Sequence, residues 1–399
     1  MSSIPDYPTV VLKPGKADSA YWRHPWIFSG AVGRVPDTVQ DGDLVRVQDH
    51  KGQILGCGTW SGRSGISVRL FTFADETVGP VWIAERIRRA HDHRLVMGYG
   101  PGSTTTGYRV VHAEADDLPG LVVDRYADVV VCQISNVGME GMRTWVLDAL
   151  EDLFEPTAVV ERSDVSARRE DGLPPVTGLL SGQGTGLAGF MESGLHFVAD
   201  TTGGQKTGFF LDQKDLRSCL ARYARGRGIL NLFSYTGAAS VYALAAGAES
   251  VLNVDGSESA LALCAEHVSM NGLDPGRSVN ERADVFEWLG AGPTDRWDMV
   301  LMDPPAIIKS RKDAESGRRA YHFLNRAAMR LVKPDGVFVT SSCSQFFTAE
   351  NLDHVLRRAS IQNSRVIRPL NRVGQSPDHP VSPYFPESEY LKSVVAVVE

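Results

Sequence analysis

The sequence predicts an α/β protein: a doubly wound α/β domain at the carboxyl side, preceded by a small β-barrel and a central α+β region. Three observations lead there. From about residue 200 onward, short apolar runs alternate with longer helical stretches, the pattern of a parallel sheet covered on both faces. The first 74 residues carry short alternating runs broken by glycine, which suit a small barrel. At 399 residues the chain also exceeds one ordinary domain. The expected domains are 1–74, 75–198 and 199–399.

In the first region the expected strands are 9–12, 43–47, 54–58 and 66–70. A helix is expected over 81–96 and a loop over 98–107. Next come a hairpin of 122–124 with 129–134, a helix over 141–154 and a strand over 158–160. The glycine-rich stretch 178–189 reads as turn or loop. In the third region the expected strands are 229–233, 250–254, 299–302, 337–340, 366–370 and 392–398. Between them, 257–271 reads as a helix capped by Ser257 and ended by Gly272.

The composition is 43% hydrophobic and 22% charged, which suits a globular protein. No apolar run approaches the roughly 20 residues of a membrane span. Residues 1–8 show no basic and apolar leader. The five cysteines are scattered, odd in number and never spaced as CxxC, which argues against a disulfide framework or a zinc site and suits a cytoplasmic protein. A net charge of −7 argues against a generally basic nucleic-acid surface. Locally the balance reverses: eight basic residues lie between Lys309 and Lys333, and five arginines lie between Arg357 and Arg372 with no acid among them. These are solvated helix faces or a rim for phosphates.

The first strand of the third region runs into Asn231-Leu232-Phe233-Ser234-Tyr235-Thr236-Gly237, and the second ends at Asp255. A carboxylate there can accept hydrogen bonds from two ribose hydroxyls. Only one glycine marks the turn, so no pyrophosphate cradle of the GxGxxG kind is built. S-adenosylmethionine, a nucleoside without phosphates, is the better match. Asp284, after the next short strand, is placed to reach the adenine amino group. Asp212 and Gln213 either border the cofactor or form a structural turn.

Asp303-Pro304-Pro305 follows the fourth expected strand and Cys343 follows the fifth. Residues at the carboxyl ends of parallel strands line the ligand crevice. The two prolines hold the Asp303 carboxylate in a rigid turn. Ala306, not an aromatic residue, follows them, which disfavours amino-group methylation on a stacked base. Cys343 alone could be a small buried hydrophobe. As a thiolate it could add to carbon 6 of cytosine and make carbon 5 nucleophilic, given local positive charge or a helix N-terminus. Asp303 would hold the N3/N4 edge of the base, which must be unpaired or swung out.

Among Trp22, Arg23, His24, Trp26 and Phe28, the favoured reading puts the aromatics in the barrel core and only Arg23 toward RNA. His91 and His93 read as surface histidines with no metal partners at ligand spacing. Cys132 and Cys264 read as core.

The chain resembles the RlmI-type bacterial 23S rRNA 5-methylcytosine methyltransferases over nearly its whole length. Residues 23–31 look like that family's PUA domain, and 117–125 with 161–164 like its central domain. Residues 205–213, 233–237, 303–305, 342–344, 378–380 and 390–392 match its class I, Rossmann-like methyltransferase domain. The resemblance implies methyl transfer from S-adenosylmethionine to a cytosine of 23S rRNA, with Cys343 and Asp303 catalytic. It places Asp212, Gln213, Asn231, Phe233, Ser234, Tyr235, Gly237, Asp255, Ser257, Asp284 and Asp303 at the cofactor. Pro304, Pro305, Lys309 and Arg23 fall to the RNA. It implies no metal and no membrane, and the barrel edge allows a homodimer. The family often has Lys where this chain has Ala306, so any role of that Lys is missing here or is supplied by Lys309. A related guanine-N7 group carries Asn where Cys343 stands. The competing readings are a guanine methyltransferase and a non-catalytic RNA-binding protein.

Overall fold

The computed structural model describes residues 6–399. The first five residues of the expected 1–74 domain, and with them most of the 1–8 segment read for a leader, lie outside the described residues. Two compact units are present. One holds the described residues up to Met191 together with Ala199–Phe209 and Pro377–Ser388. The other holds Glu192–Val198, Phe210–Ser376 and Glu389–Glu399.

The first unit contains a six-stranded sheet in the order Trp26–Phe28, Ile66–Thr72, Ile54–Trp60, Leu44–Gln48, Thr9–Leu12, Val32–Arg34. Alternating residues point inward, so Val10, Leu12, Ile27, Val45, Val47, Leu55, Val68 and Leu70 from five of these strands form one core. That convergence requires the sheet to curve. Gly58 sits at a register shift against Leu70, where a Cβ would lie 2.2 Å from the Arg69 carbonyl oxygen.

The aromatics of this region are not core as expected. Ile27 takes the inward position of its strand, which turns Trp26 and Phe28 to the other face. Phe28 is 50% exposed, and Trp22, just after the short Asp18–Tyr21 helix, is 79% exposed.

The same unit contains a five-stranded sheet, in the order Val176–Gly182, Ala158–Ser163, Val129–Ile134, Leu121–Tyr126, Gly107–His112. Helices Pro80–Val96 and Arg143–Phe154 share its core. The glycine-rich stretch expected as loop is largely strand: Val176–Gly182 pairs antiparallel with Ala158–Ser163, and Leu187–Glu192 follows. An edge strand tolerates glycine because it has one fewer neighbour to pack against. His91 also departs from expectation, being only 8% exposed, with its ring 4.9 Å from Phe154. Burial holds its imidazole pKa below the usual value. His93 is exposed. Among the described residues there is no cluster able to hold a metal ion, and no helix is long and apolar enough to cross a membrane.

Asp378 and His379 belong to this first unit. Arg109 donates its backbone N–H to the Asp378 carboxylate at 3.0 Å and grips Asp124 through both guanidinium arms at 2.8 Å. Arg94 binds both oxygens of Asp116 and the Asp378 carbonyl. The Asp378-His379-Pro380 motif is therefore part of a buried ionic framework.

The second unit is a seven-stranded sheet. Its order is Ser278–Arg282, Ser250–Asp255, Gly228–Leu232, Trp297–Met302, Val332–Ser342, Lys392–Val398, Ile367–Val373. The first five strands are parallel, and Lys392–Val398 runs antiparallel to both of its neighbours. Such sheets need crossover helices on their faces. Ala314–Arg330 and Ala349–Gln362 supply Tyr321, Leu324, Leu352 and Leu356 to the core over one face.

Candidate active site

Gly228–Leu232 lies at the switch point of the second unit, because the chain adds strands first on one side of it and then on the other. The crevice of such a sheet opens at the carboxyl ends of the strands beside that point. Phe233, Asp255, Asp303 and Cys343 each stand at such an end.

After Leu232 the backbone turns through left-handed residues at Phe233 (φ 59°), Tyr235 (φ 49°) and Gly237 (φ 70°). Gly237 is required: a Cβ there would lie 2.1 Å from the Cys264 sulfur. Asp255 closes the loop, accepting the Tyr235 N–H on Oδ2 and the Ser257 N–H on Oδ1, both at 2.8 Å. Each carboxylate oxygen retains a lone pair for a further donor, which suits two ribose hydroxyls. Ser257 itself caps the Glu258–Met270 helix through the Ala260 N–H. The buried Ser234 hydroxyl has no hydrogen-bond partner among the described residues, an unmet polar group within the loop. No second glycine builds a diphosphate cradle here. These residues fit a phosphate-free nucleoside cofactor.

His267 braces the loop from behind. It is fully buried, and its Nε2 accepts the Val198 N–H at 2.9 Å, so the proton sits on Nδ1 and is donated to the Thr236 carbonyl at 2.8 Å. Burial depresses its pKa, with the two backbone bonds opposing. The folded state therefore resists protonation, while the unfolded state takes up a proton near pH 6.5. The corresponding stability is present above that value and lost as pH falls through it toward the lower folded pKa. The thermal midpoint of wild type should thus fall more between neutral and mildly acidic pH than that of His267→Gln. Parallel slopes would exclude this role.

The remaining expected cofactor residues are placed unevenly. Asn231 donates its amide to Ser240 at 2.8 Å and to Asn253 at 3.4 Å, so its side chain supports the strand ends. Asp284 is exposed and caps the Val285–Gly290 helix through the Glu287 N–H. Asp212 is buried and receives the Tyr390 hydroxyl at 2.7 Å, while the neighbouring Gln213 donates to Asp303 Oδ2 at 2.5 Å. Asp212 thus anchors the 211–213 turn, and Gln213 joins it to the Asp303 carboxylate.

Parallel pairing sets Met302 beside Thr340, which brings the loops after both strands together. Ser344 Oγ accepts the Ile308 N–H at 3.1 Å and contacts the buried Tyr321 hydroxyl at 2.9 Å, and Ser342 bonds the same hydroxyl at 2.8 Å. Ser344 thus ties the segment after Asp303 to the Cys343 segment, and Tyr321, stacked on Phe347, holds Ser342 and Ser344 in place. Pro304 is buried; Pro305 and Lys309 are exposed.

Cys343 is half-buried, whereas the other four cysteines are buried. Burial pushes the Cys132 and Cys264 thiols up to about 12 and raises those of Cys57 and Cys219, leaving them unreactive near neutral pH. Cys343 also has a cationic neighbour. Lys392 pairs with Ser342 across the antiparallel register, and its Nζ donates to the Ser344 carbonyl at 2.8 Å. The ammonium therefore bridges the Cys343 segment and interacts with that thiol and with Glu389. Burial lowers the Lys392 pKa, and the nearby Cys343 and Glu389 oppose the shift. Sequence reasoning assigned Lys392 no role. The available signal was a lysine heading an otherwise apolar strand.

The two basic runs differ. Of the eight residues in the first, all but Arg326 are exposed, and among the described residues only Arg319 and Lys333 stand in ion pairs, with Glu315 and Asp298. In the second, Arg365 ties the sheet edge through four backbone carbonyls, Arg368 pairs with Glu399, and Arg372 pairs with Asp353. The second run is mainly structural. Arg23 is exposed in the first unit, its guanidinium 6.0 Å from the Tyr384 ring.

The switch-point loop, the Asp255 cradle and the sheet order define a class: S-adenosylmethionine-dependent methyltransferases. The family model of that description matches residues 168–382, and a PUA-like domain model matches residues 10–73. The chain belongs to the ribosomal RNA large subunit methyltransferase I family. Relatives of that name from Shewanella denitrificans and Shewanella frigidimarina are 40% and 39% identical to it, over 98% of this chain and 99% of theirs. A solved structure described as a candidate methyltransferase complexed with SAH shares the fold at a TM-score of 0.84. It is 21% identical and covers 98% of this chain and 100% of its own.

Proposed function

We propose that the protein methylates carbon 5 of a cytosine in large-subunit ribosomal RNA through a transient bond between Cys343 and carbon 6. The observation that carries this reading is the environment of Cys343. It is a half-buried thiol at a strand's carboxyl end, beside the Lys392 ammonium and in a segment bonded to the one that follows Asp303. The names of the relatives support the RNA substrate.

Bound S-adenosylmethionine supplies an electrophilic methyl group, which the activated carbon 5 accepts. Asp255 and the 233–237 loop hold the nucleoside portion. Asp303, oriented by Gln213, bonds the N3/N4 edge of the base. The Cys343 thiolate adds to carbon 6, and the electron pair released toward carbon 5 forms the new bond to the methyl as the methyl's bond to the sulfonium sulfur breaks, leaving S-adenosylhomocysteine. Loss of the carbon-5 proton restores the ring double bond and expels the thiolate, so the enzyme is regenerated. Lys392 favours the thiolate by proximity of opposite charge.

Bisulfite sequencing of unmodified 23S rRNA after incubation with S-adenosylmethionine tests the reading. One protected cytosine, present with wild type and absent with Cys343→Ala, is the expected result. Methyl incorporation without any protected cytosine would refute it. The Lys392 role has its own test. The rate of Cys343 alkylation by iodoacetamide should rise at lower pH in wild type than in Lys392→Met, with Lys392→Arg resembling wild type. Coincident curves would remove Lys392 from the account.

A further inference from the structure

The first unit contains a cleft of about 450 Å³ whose lining, apart from Arg23, has no part in the methyl-transfer chemistry or in the expected RNA contacts. Its walls include Arg23, Arg86, Arg89, Glu114, Asp117 and Tyr384. They come from three places: the barrel, the Pro80–Val96 helix with the Ala113–Asp116 turn, and the Pro377–Ser388 segment that returns to this unit late in the sequence.

The arrangement is built rather than incidental. Arg23 and Asp117 both hold left-handed backbone, at φ 58° and 59°, which costs a non-glycine residue energy that surrounding structure must offset. Arg86 is fixed by Asp117 at 3.2 Å and lies over the Trp82 ring at 4.7 Å. Arg23 stands 6.0 Å from the centroid of Tyr384, whose ring is about half exposed. Glu114 is held by the Trp26 indole N–H at 2.8 Å. The cleft thus presents an accessible aromatic face, exposed guanidinium groups and two oriented carboxylates.

A ligand that satisfies all three carries a flat ring, an anionic group and hydrogen-bond donors. A free anion would not use the ring, and the carboxylates would repel it. An apolar peptide would leave the charges unmatched. A nucleotide meets every requirement: its base stacks on Tyr384, its phosphate meets Arg23 and Arg89, and its amino or imino groups face Glu114 and Asp117.

We propose that this cleft holds one unpaired nucleotide of the RNA substrate, separate from the base that is methylated. The inference rests on RNA being the substrate, but not on cytosine or on Cys343. The cleft acts as a second reading point, so that the substrate is chosen by an unpaired nucleotide as well as by its target.

The test is fluorescence anisotropy of full-length protein with a fluorescein-labelled single-stranded RNA oligonucleotide of mixed sequence, at several salt concentrations. Tyr384→Ala should weaken binding by roughly tenfold, the effect of losing one stacked base, and Tyr384→Phe should retain it. Arg89→Ala should weaken binding and lower the salt slope by about one. Arg88→Ala removes the same charge from the same helix but outside the cleft, and should leave affinity within about threefold. Equal losses for Arg88→Ala and Arg89→Ala, or no loss for Tyr384→Ala, would overturn the cleft while leaving RNA as the substrate. Failure of wild type to bind the oligonucleotide would overturn both.

Discussion

Cys343→Ala is expected to lower methyl transfer by roughly 10⁴-fold or more, the scale of losing a covalent nucleophile, with affinity for S-adenosylmethionine essentially unchanged. The split follows from position. Cys343 stands beyond the Val332–Ser342 strand, whereas the cofactor loop is built by Gly228–Leu232, Asp255 and His267. Cys343→Ser should be almost as poor, because a hydroxyl is far less nucleophilic at neutral pH. Single-turnover transfer of labelled methyl, paired with calorimetric binding of the cofactor, reads both quantities. A Cys343→Ala protein with near-normal transfer would show that this thiol is there for packing.

The second large effect is at Asp255. Its carboxylate organises the cofactor loop through the Tyr235 and Ser257 amides and, in this account, also takes two ribose hydroxyls. Charge-assisted bonds contribute about 1.5–3 kcal/mol each. Asp255→Ala should therefore raise the dissociation constant for S-adenosylmethionine by roughly 10²-fold or more. Asp255→Asn keeps one acceptor oxygen and should fall between. Because the change also frees two backbone N–H groups, a lower thermal midpoint should accompany it. Calorimetry and a melting curve on the same preparations check both. Unchanged affinity would place the cofactor elsewhere.

Much of this was legible in the sequence, for identifiable reasons. Parallel strands buried on both faces read as continuous apolar runs, so 250–254 and 299–302 stood out. Residues just beyond such runs must lie in the crevice, which is how Asp255, Asp303 and Cys343 became visible before any geometry. The failures also have physical causes. Trp22 and Phe28 looked like core because aromatics usually are, but Ile27 occupies the only inward position in that short strand. His91 looked polar in sequence, yet a helix facing a sheet buries every third or fourth residue, and position 91 falls on the stripe with Ile83, Ile87 and Ala90. The role of Lys392 was invisible because it depends on antiparallel register with Ser342, a pairing fixed only by tertiary structure. Likewise, spacing could not reveal that Asp378 and Lys392, close in sequence, serve different units.

The most direct measurement of the central claim uses substrate RNA carrying 5-fluorocytosine. Fluorine at carbon 5 cannot leave as a proton, so the ring double bond cannot re-form and the Cys343 thiolate cannot be expelled. The account predicts a denaturation-resistant protein–RNA species that requires S-adenosylmethionine, contains one added methyl and is absent with Cys343→Ala. Methylation of ordinary RNA by the same preparation, with no such species on the fluorinated RNA, would contradict it.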